Sequence, residues 1–226
     1  MIYDRWRVDK TELLAHFCEG KRSIFFVSDL GSEISLRTAL SGAVNSVLFG
    51  PAQMNAVYST WEDLFMALGK AAQTERLVVV LDEFPYMVTA HPPLASILQR
   101  VWDQTLKNTQ IMLVLCGSYI GMMEETVLGY QAPLYGRRTG QYLLEPLQFK
   151  DARLFYSAFD LEDQVRTYAV YGGTPAYLNT IQAANSLEEN IREAFSAEDH
   201  ICMMKSASSC SKSYVNRATT SSFYRR

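Results

Sequence analysis

The sequence predicts an α/β fold, in which a parallel β-sheet carries helices on both faces and a small helical subdomain follows. Three short runs are continuously apolar, at residues 23–27, 77–81 and 111–116, which is typical of strands buried on both faces of a parallel sheet. Amphipathic segments with helical spacing separate these runs. Strands that alternate with helices indicate a doubly wound sheet.

The first half of the chain supplies the predicted strands and their helices in turn. Residues 1–3 are strand-like, and the helix-like residues 12–17 follow them. Further helices are predicted at 61–73 and 94–106, because apolar side chains recur there at the spacing of a single helix face. No internal repeat is evident.

The pattern changes after about Pro146, where strand-like runs stop. Three helices are predicted beyond this point, at residues 149–157, 162–171 and 187–195. Ser186 and Glu189 have the spacing of a capping box at the start of the last helix. The predicted organisation is therefore a core at 1–145, a helical lid at 146–199 and a disordered tail at 200–226.

Composition excludes several classes of protein. Hydrophobic residues make up 48% of the chain and charged residues 20%, which is typical of a globular protein. The net charge of −3 gives no global reason to expect nucleic-acid binding. No apolar run is long enough to predict a membrane helix. Four scattered cysteines and the lack of a signal-peptide pattern lead us to expect a reduced, cytoplasmic protein.

Two acids, Asp82 and Glu83, directly follow the second apolar run. This places two carboxylates at the carboxyl edge of the sheet, where α/β proteins bind ligands. One acid there can hold Mg²⁺ through its water shell, and the next can polarise an attacking water. A strand followed by an ordinary acidic turn is the alternative interpretation of the same residues.

Residues 4–11 have the spacing of a phosphate-binding loop without its glycines. The pattern G-x-x-x-x-G-K-[ST] requires a strand before it and a helix after it, and both are predicted here. Lys10 and Thr11 match its end, whereas Asp4 and Asp9 occupy its two glycine positions. On these residues alone, the segment would be interpreted as a charged turn.

Three other segments are candidates for contacts with phosphate. Ser118 follows the third apolar run, although a simple strand exit explains it equally well. Arg137 and Arg138 follow a glycine and can face phosphates, but such arginines are more often solvated or ion-paired. The run Gly172–Pro175 ends one predicted helix and begins another, and its backbone can also approach a nucleotide.

Taken together, these segments resemble the archaeal-type ATPases, in which they occur in the same order. The motifs that carry the resemblance are residues 82–86, 115–118, 127–130, 133–139 and 172–177. The resemblance spans about residues 1–200, and the ordered set is more specific than any one motif. It implies a P-loop NTPase of the AAA+/STAND group, with a parallel sheet between helices, a small helical lid, and ATP and Mg²⁺ as ligands.

The resemblance also implies roles for the residues of the phosphate loop and the acidic strand. Lys10 would contact the β- and γ-phosphates, and Thr11 would contact the metal. Asp82 would bind Mg²⁺ at the Walker B position, and Glu83 would activate the attacking water. The implied reaction is ATP hydrolysis by in-line attack of water on the γ-phosphate.

Further roles follow from the remaining motifs of the family. Ser118 would occupy the sensor position, and Arg137 or Arg138 would face phosphate. Gly173 and Pro175 would line the nucleotide. AAA+ kinship suggests assembly into a homo-oligomer, while the protein partner stays undetermined and neither a membrane nor a nucleic acid is expected as a partner.

The phosphate loop departs from the family pattern, and this departure lowers the expected activity. Glycine allows positive φ and close approach of the backbone to phosphate, which Asp4 and Asp9 do not. Two unit charges about 4 Å apart repel by roughly 4 kcal/mol at an effective dielectric near 20, which weakens binding by about three orders of magnitude. We expect weak or absent hydrolysis; the alternatives are a non-catalytic interaction module and a gene remnant.

Both ends of the chain also depart from the family. Relatives usually have a further segment before the phosphate loop, so we expect the chain to be a fragment truncated at its N-terminus. The last residues, 201–226, are serine-rich and contain basic residues but no acid. A one-base frameshift near codon 201 would explain this change of composition.

Overall fold

The computed structural model describes residues 1–4, 10–53 and 55–196 of the chain. These residues contain a five-stranded sheet with the strand order β2-β3-β4-β1-β5, and every pair of neighbouring strands is parallel. The strands are β1 (Ile2–Asp4), β2 (Ser23–Val27), β3 (Leu77–Asp82), β4 (Ile111–Gly117) and β5 (Tyr142–Leu144). The predicted α/β fold with a parallel sheet is confirmed.

Helices connect the strands and continue after the last of them. In the first part of the chain they are α1 (Lys10–Cys18), α2 (Glu33–Phe49), α3 (Trp61–Ala71), α4 (Phe84–Ala90), α5 (Leu94–Gln104) and α6 (Ile120–Met123), the last of which continues as a π-helical turn at Glu124–Leu128. After β5 they are α7 (Phe149–Ala152), α8 (Leu161–Tyr171), α9 (Pro175–Leu178) and α10 (Leu187–Ser196). A 3₁₀ turn at Arg153–Tyr156 extends α7.

Helix α2 and strand β5 were not predicted from the sequence. Helix α2 begins after Ser32, whose hydroxyl accepts a hydrogen bond from the main-chain N–H of Ser35 at 3.2 Å. Its buried apolar positions, Leu36, Leu40 and Val44, recur every four residues. This stripe packs α2 against the sheet, since Leu40 and Val44 have no exposed surface.

The sheet is buried on both faces, as its apolar strands predict. Every residue of β3 is buried. Val79 and Leu81 belong to the large cluster under α2, α3 and α5, whereas Val78 and Val80 pack with Leu14 of α1 on the opposite face. Alternate residues of one strand therefore supply both cores.

The described residues form two compact units that divide between Pro146 and Leu147. The second unit has its own small core, which contains Ala152, Tyr156, Tyr171 and Leu178. The predicted tail at 200–226 lies outside the described residues. Within the part of the chain that the structure describes, no helix is both long and apolar enough to cross a membrane.

Candidate functional site

Three strands end close together at the carboxyl edge of the sheet. Strand β4 lies between β3 and β1, with Leu115 beside Leu81 and Gly117 beside Tyr3. The carboxyl ends of parallel strands share one edge of a sheet, which is the usual ligand edge of α/β folds. This topology brings the start of α1 to the residues that follow β3 and β4.

Thr11 and Asp82 meet at this edge. The Thr11 hydroxyl donates a hydrogen bond of 2.6 Å to Oδ2 of Asp82, and the main-chain N–H of Glu83 donates to Oδ1 at 3.0 Å. Asp82 is only 1% exposed, so these bonds satisfy a carboxylate that would otherwise be costly to bury. A hydroxyl and a carboxylate oxygen side by side fit Mg²⁺, which prefers hard oxygen ligands and usually combines one or two protein groups with phosphate.

A second chain of contacts links Lys10, Ser118 and Glu83. Lys10 is 4% exposed, and its ammonium donates a hydrogen bond of 2.7 Å to the Ser118 hydroxyl. That hydroxyl in turn donates to Oε1 of Glu83, and the Ser118 main-chain N–H donates to Oε2 at 3.2 Å. We call Lys10, Thr11, Asp82, Glu83 and Ser118 the strand-end cluster.

The backbone at Glu83 takes the left-handed conformation, with φ 54° and ψ 40°. Among the described residues it is the one non-glycine residue with positive φ. Such a conformation costs on the order of 1–3 kcal/mol and is concentrated at functional sites. It ends β3 abruptly, and helix α4 then begins with Phe84 and Pro85.

The predictions for the two loop aspartates are not decided by the structure. Asp4 ends β1, and its backbone pairs with Leu144 of β5, but its side chain is not described. Asp9 lies outside the described residues. The effect of both carboxylates on nucleotide binding therefore stays a prediction.

Arg137 forms its described hydrogen bonds away from the strand-end cluster. Its Nε and Nη2 donate to the carboxylate of Asp103 on α5, with the shortest contact at 2.9 Å, and Nη1 donates to the carbonyls of Pro133 and Tyr135. The hydrogen bond from Arg137 holds the pKa of Asp103 below its usual range. A phosphate contact of Arg137 stays a prediction.

Arg138 lies with its guanidinium over the ring of Tyr135, 5.3 Å from the ring centre. Both arginines line a small cavity of about 60 Å³ together with Leu98 and Trp102 of α5. No residue of the strand-end cluster lines this cavity. A role of Arg138 toward phosphate also stays a prediction.

Gly173 and Pro175 lie in the second unit. Gly172, with φ 67°, ends α8, and Pro175 begins α9, so the predicted helix stop and start is confirmed. The carbonyl of Gly173 accepts a hydrogen bond of 2.7 Å from Leu147. A Cβ on Gly173 would lie only 1.8 Å from the Leu147 carbonyl oxygen. This glycine is needed for close backbone packing, and its contact with a nucleotide stays a prediction.

The sequence analysis missed Ser28, which supports the cluster from the end of β2. Its main-chain N–H donates to the carbonyl of Asp82 at 2.9 Å, and the residue is 4% exposed. Its buried hydroxyl has no hydrogen-bond partner among the described atoms. Its position could have indicated it as a site residue, because Ser28 is the first polar residue after the apolar run at 23–27.

The fold and the strand-end cluster together define a class of protein, the P-loop NTPases. The helix that follows the first strand starts with Lys-Thr, and this helix meets an acidic pair at the end of a buried strand. The chain belongs to the family of ATPase domains found predominantly in Archaea, because the model of that family matches residues 1–181. The predicted resemblance to archaeal-type ATPases is confirmed.

Two uncharacterized proteins of Methanocaldococcus jannaschii are similar to the chain in sequence. One is 31% identical over 182 residues, which is 80% of this chain and 39% of that protein. The other is 39% identical over 56 residues, which is 25% of this chain and 54% of that protein. The chain thus spans about two fifths and about half of the lengths of these relatives.

Solved structures show the same fold at low sequence identity. A Walker-type ATPase of Pyrococcus abyssi has a TM-score of 0.67 at 16% identity, over 90% of this chain and 68% of the other. The Orc1 protein of Aeropyrum pernix, solved in complex with DNA, has a TM-score of 0.51 at 13% identity, over 89% and 57%. These matches support the P-loop NTPase fold alone.

Proposed function

We propose that the chain binds ATP with Mg²⁺ at the strand-end cluster and that its hydrolysis of ATP is impaired. The observation that carries this proposal is the contact between Thr11 and Asp82, which come from sequence-distant elements and place a hydroxyl beside a buried carboxylate. Membership of an ATPase family supports the choice of nucleotide.

Each residue of the cluster has a chemical role in this proposal. Thr11 and Asp82 would hold Mg²⁺, which supplies positive charge to the phosphate oxygens when it is bound. Lys10 offers a buried point charge to the β- and γ-phosphates. Helix α1 begins at Lys10, and the N–H groups of a helix start favour an anion. Glu83 would accept a proton from the attacking water.

The impairment is proposed from the position of Asp9 in the sequence. Asp9 immediately precedes α1, so its carboxylate competes with phosphate for the positive field of the helix start. Asp4 adds a second negative charge at the end of β1. The two aspartates also remove the backbone freedom that glycine gives a phosphate loop.

Titration of ATP with Mg²⁺ into the native chain and two double variants tests the proposal. We expect weak binding by the native chain and an affinity about a thousandfold higher in D4G/D9G, from the repulsion of roughly 4 kcal/mol. The variant D4N/D9N removes the charge without adding glycine flexibility, so it separates the two causes. Calorimetry measures all three affinities.

The control is the triple variant D4G/D9G/K10A, which should lose the gained affinity. Micromolar binding by the native chain would refute the impairment. Absence of binding in every variant would refute the nucleotide site and favour a non-catalytic interaction module.

We also propose that the chain belongs to the AAA+/STAND group of P-loop NTPases, that it assembles into a homo-oligomer and that it is located in the cytoplasm. The group and the assembly follow from the family motifs. The location follows from the sequence composition, and the described cysteines, Cys18 and Cys116, are buried free thiols that fit it.

A further inference from the structure

We propose that the edge at which the strands begin binds the phosphate backbone of a nucleic acid, independently of base sequence. Three exposed cations mark this surface, Lys70, Arg76 and Lys107, and we call them the basic edge. They lie in two segments, residues 69–76 before β3 and residues 105–110 before β4. The full length of β3 separates them from the strand-end cluster, a distance of about 20 Å at roughly 3.3 Å per residue. The inference therefore goes beyond the proposed ATP binding and does not depend on it.

Close contacts join the two segments that carry these cations. The main-chain N–H of Gln110 donates a hydrogen bond of 2.8 Å to the Ala72 carbonyl, and the Gln110 side chain donates to the Thr74 carbonyl at 3.0 Å. The segments also meet next to Lys70 and Lys107, because a Cβ on Gly69 would lie 2.9 Å from a methyl carbon of Leu106. The three cations therefore lie on adjoining segments of one edge of the molecule.

The basic edge is positively charged although the chain as a whole is acidic. Glu75 is the one acid in the two segments, and it pairs with Arg22, whose Nη1 lies 3.3 Å from its Oε2. The next acid before the second segment, Asp103, pairs with Arg137. None of the salt bridges between described residues includes a cation of the basic edge. Three positive charges therefore stand here in a chain with a net charge of −3, and phosphates respond to this local field.

The composition of this surface favours a nucleic acid over a protein or a membrane. Every exposed residue of the two segments is polar or charged, and Gln73, Asn108 and Gln110 place amide groups near the cations. The centre of a protein interface is typically apolar or aromatic, and binding to a membrane surface needs apolar side chains that insert into it. Cationic, amide and hydroxyl side chains are those that contact phosphate and fix a protein on a duplex.

Fluorescence anisotropy of a labelled DNA duplex of about 20 base pairs tests the proposal on the full chain without nucleotide. Each phosphate contact adds about 0.9 to the slope of log K against log salt concentration. In K70Q/R76Q/K107Q we expect this slope to be shallower by about 2.7 and the affinity at 50 mM NaCl to fall at least about tenfold. All other basic residues are present in both proteins, so the difference reports on the basic edge alone.

The matched control is K150Q/R153Q/R192Q, which removes three exposed cations from the second unit and changes the net charge equally. It should keep the slope and the affinity of the native chain. The single variant R76Q, with a slope shallower by about 0.9, provides a second measurement if the triple variant does not fold. Equal losses in the two triple variants, an unchanged slope in R76Q, or no binding by the native chain at 50 mM NaCl would overturn the proposal.

Competition experiments decide the class of partner. Unlabelled DNA should displace the labelled duplex from the native chain, whereas poly-L-glutamate and vesicles of phosphatidylserine and phosphatidylcholine should displace it poorly at the same concentration of negative charge. Equal displacement by poly-L-glutamate would assign the surface to an acidic protein segment, and equal displacement by the vesicles would assign it to an anionic membrane. Either result would overturn the assignment to nucleic acid.

Discussion

Cys116 is the residue whose chemistry the fold changes most clearly. It lies in β4 with no exposed surface, in the cluster formed with Leu14 and Val114. Burial raises the pKa of its thiol, and the nearby negative charge of Asp82 raises it further. Because the thiolate is the reactive form of cysteine, this thiol should be inert in the folded protein.

We therefore expect Cys116 to resist alkylation in the native chain at pH 8.5, a pH at which about half of free cysteines are ionised. Mass spectrometry of peptides labelled with iodoacetamide measures the rate. The same chain unfolded in urea is the control and should label at the rate of a free thiol. Native labelling of Cys116 at that rate would contradict the burial that the structure shows.

At this scale the sequence predicted the members of the strand-end cluster but not their contacts. Asp82 and Glu83 could be chosen because they directly follow a buried apolar strand, whereas Lys10, Thr11 and Ser118 were assigned to the site through the family resemblance. The left-handed backbone of Glu83 and its bonds to Ser118 depend on tertiary structure. In the same way, no local pattern predicts that Arg137 pairs with Asp103, which lies 34 residues earlier.

At the scale of elements, Gly173 shows how one residue fixes the start of the second unit. Its carbonyl accepts a bond from the N–H of Leu147, and the Tyr168 hydroxyl donates to the Leu147 carbonyl at 3.1 Å. Both groups that hold Leu147 thus come from α8 and the turn after it. The close backbone contact explains why a side chain at position 173 cannot be accommodated.

The substitution Gly173→Ala should destabilise the second unit by at least about 2 kcal/mol, the range of severe overpacking. The added Cβ would meet a carbonyl oxygen at 1.8 Å, and backbone cannot yield as a flexible side chain can. Urea unfolding followed by circular dichroism measures the change.

The control for this substitution is Gly121→Ala, because a Cβ there meets only the Tyr119 ring at an ordinary distance of 3.4 Å. It should change the free energy of unfolding by less than about 0.5 kcal/mol or raise it, since alanine favours helices. Equal stability of G173A and G121A would contradict the close packing of Gly173 on Leu147.

The sequence predicted those strands and helices whose burial produces a recognisable spacing of apolar residues within the element itself. The run at 23–27 coincides with β2, because a strand covered on both faces leaves a continuous apolar signal. Strand β5 has three residues, and Tyr142 and Leu143 in it are exposed. Strand β5 forms by pairing with β1, and its own three residues show no apolar pattern from which this pairing could be predicted.

At the scale of the whole molecule, the cluster exists only when the sheet is complete. Its residues come from α1, from the end of β3 and from the end of β4, and β4 must lie between β3 and β1 for them to meet. A nucleotide that binds this cluster should therefore bind the folded chain and not the unfolded one. Binding of this kind raises the unfolding temperature.

We expect ATP·Mg²⁺ at a hundred times its Kd to stabilise D4G/D9G by about 2.7 kcal/mol, which corresponds to roughly 5–10 °C for a chain of this size. At the same concentration of ATP·Mg²⁺, the unfolding temperature of the native chain should change little. Differential scanning fluorimetry with EDTA as the metal-free control measures both proteins. A shift in the native chain as large as that of D4G/D9G would contradict the predicted effect of the aspartates.

The place of β1 in the sheet sets an order for assembly during synthesis. Strand β1 is made first among the strands, yet its partners are Cys116 and Gly117 in β4 and Tyr142–Leu144 in β5. At about 5–20 residues per second, the ribosome needs on the order of ten seconds to deliver them. The strand-end cluster, which includes Lys10 and Thr11, can therefore form only after β4 and β5 have been made.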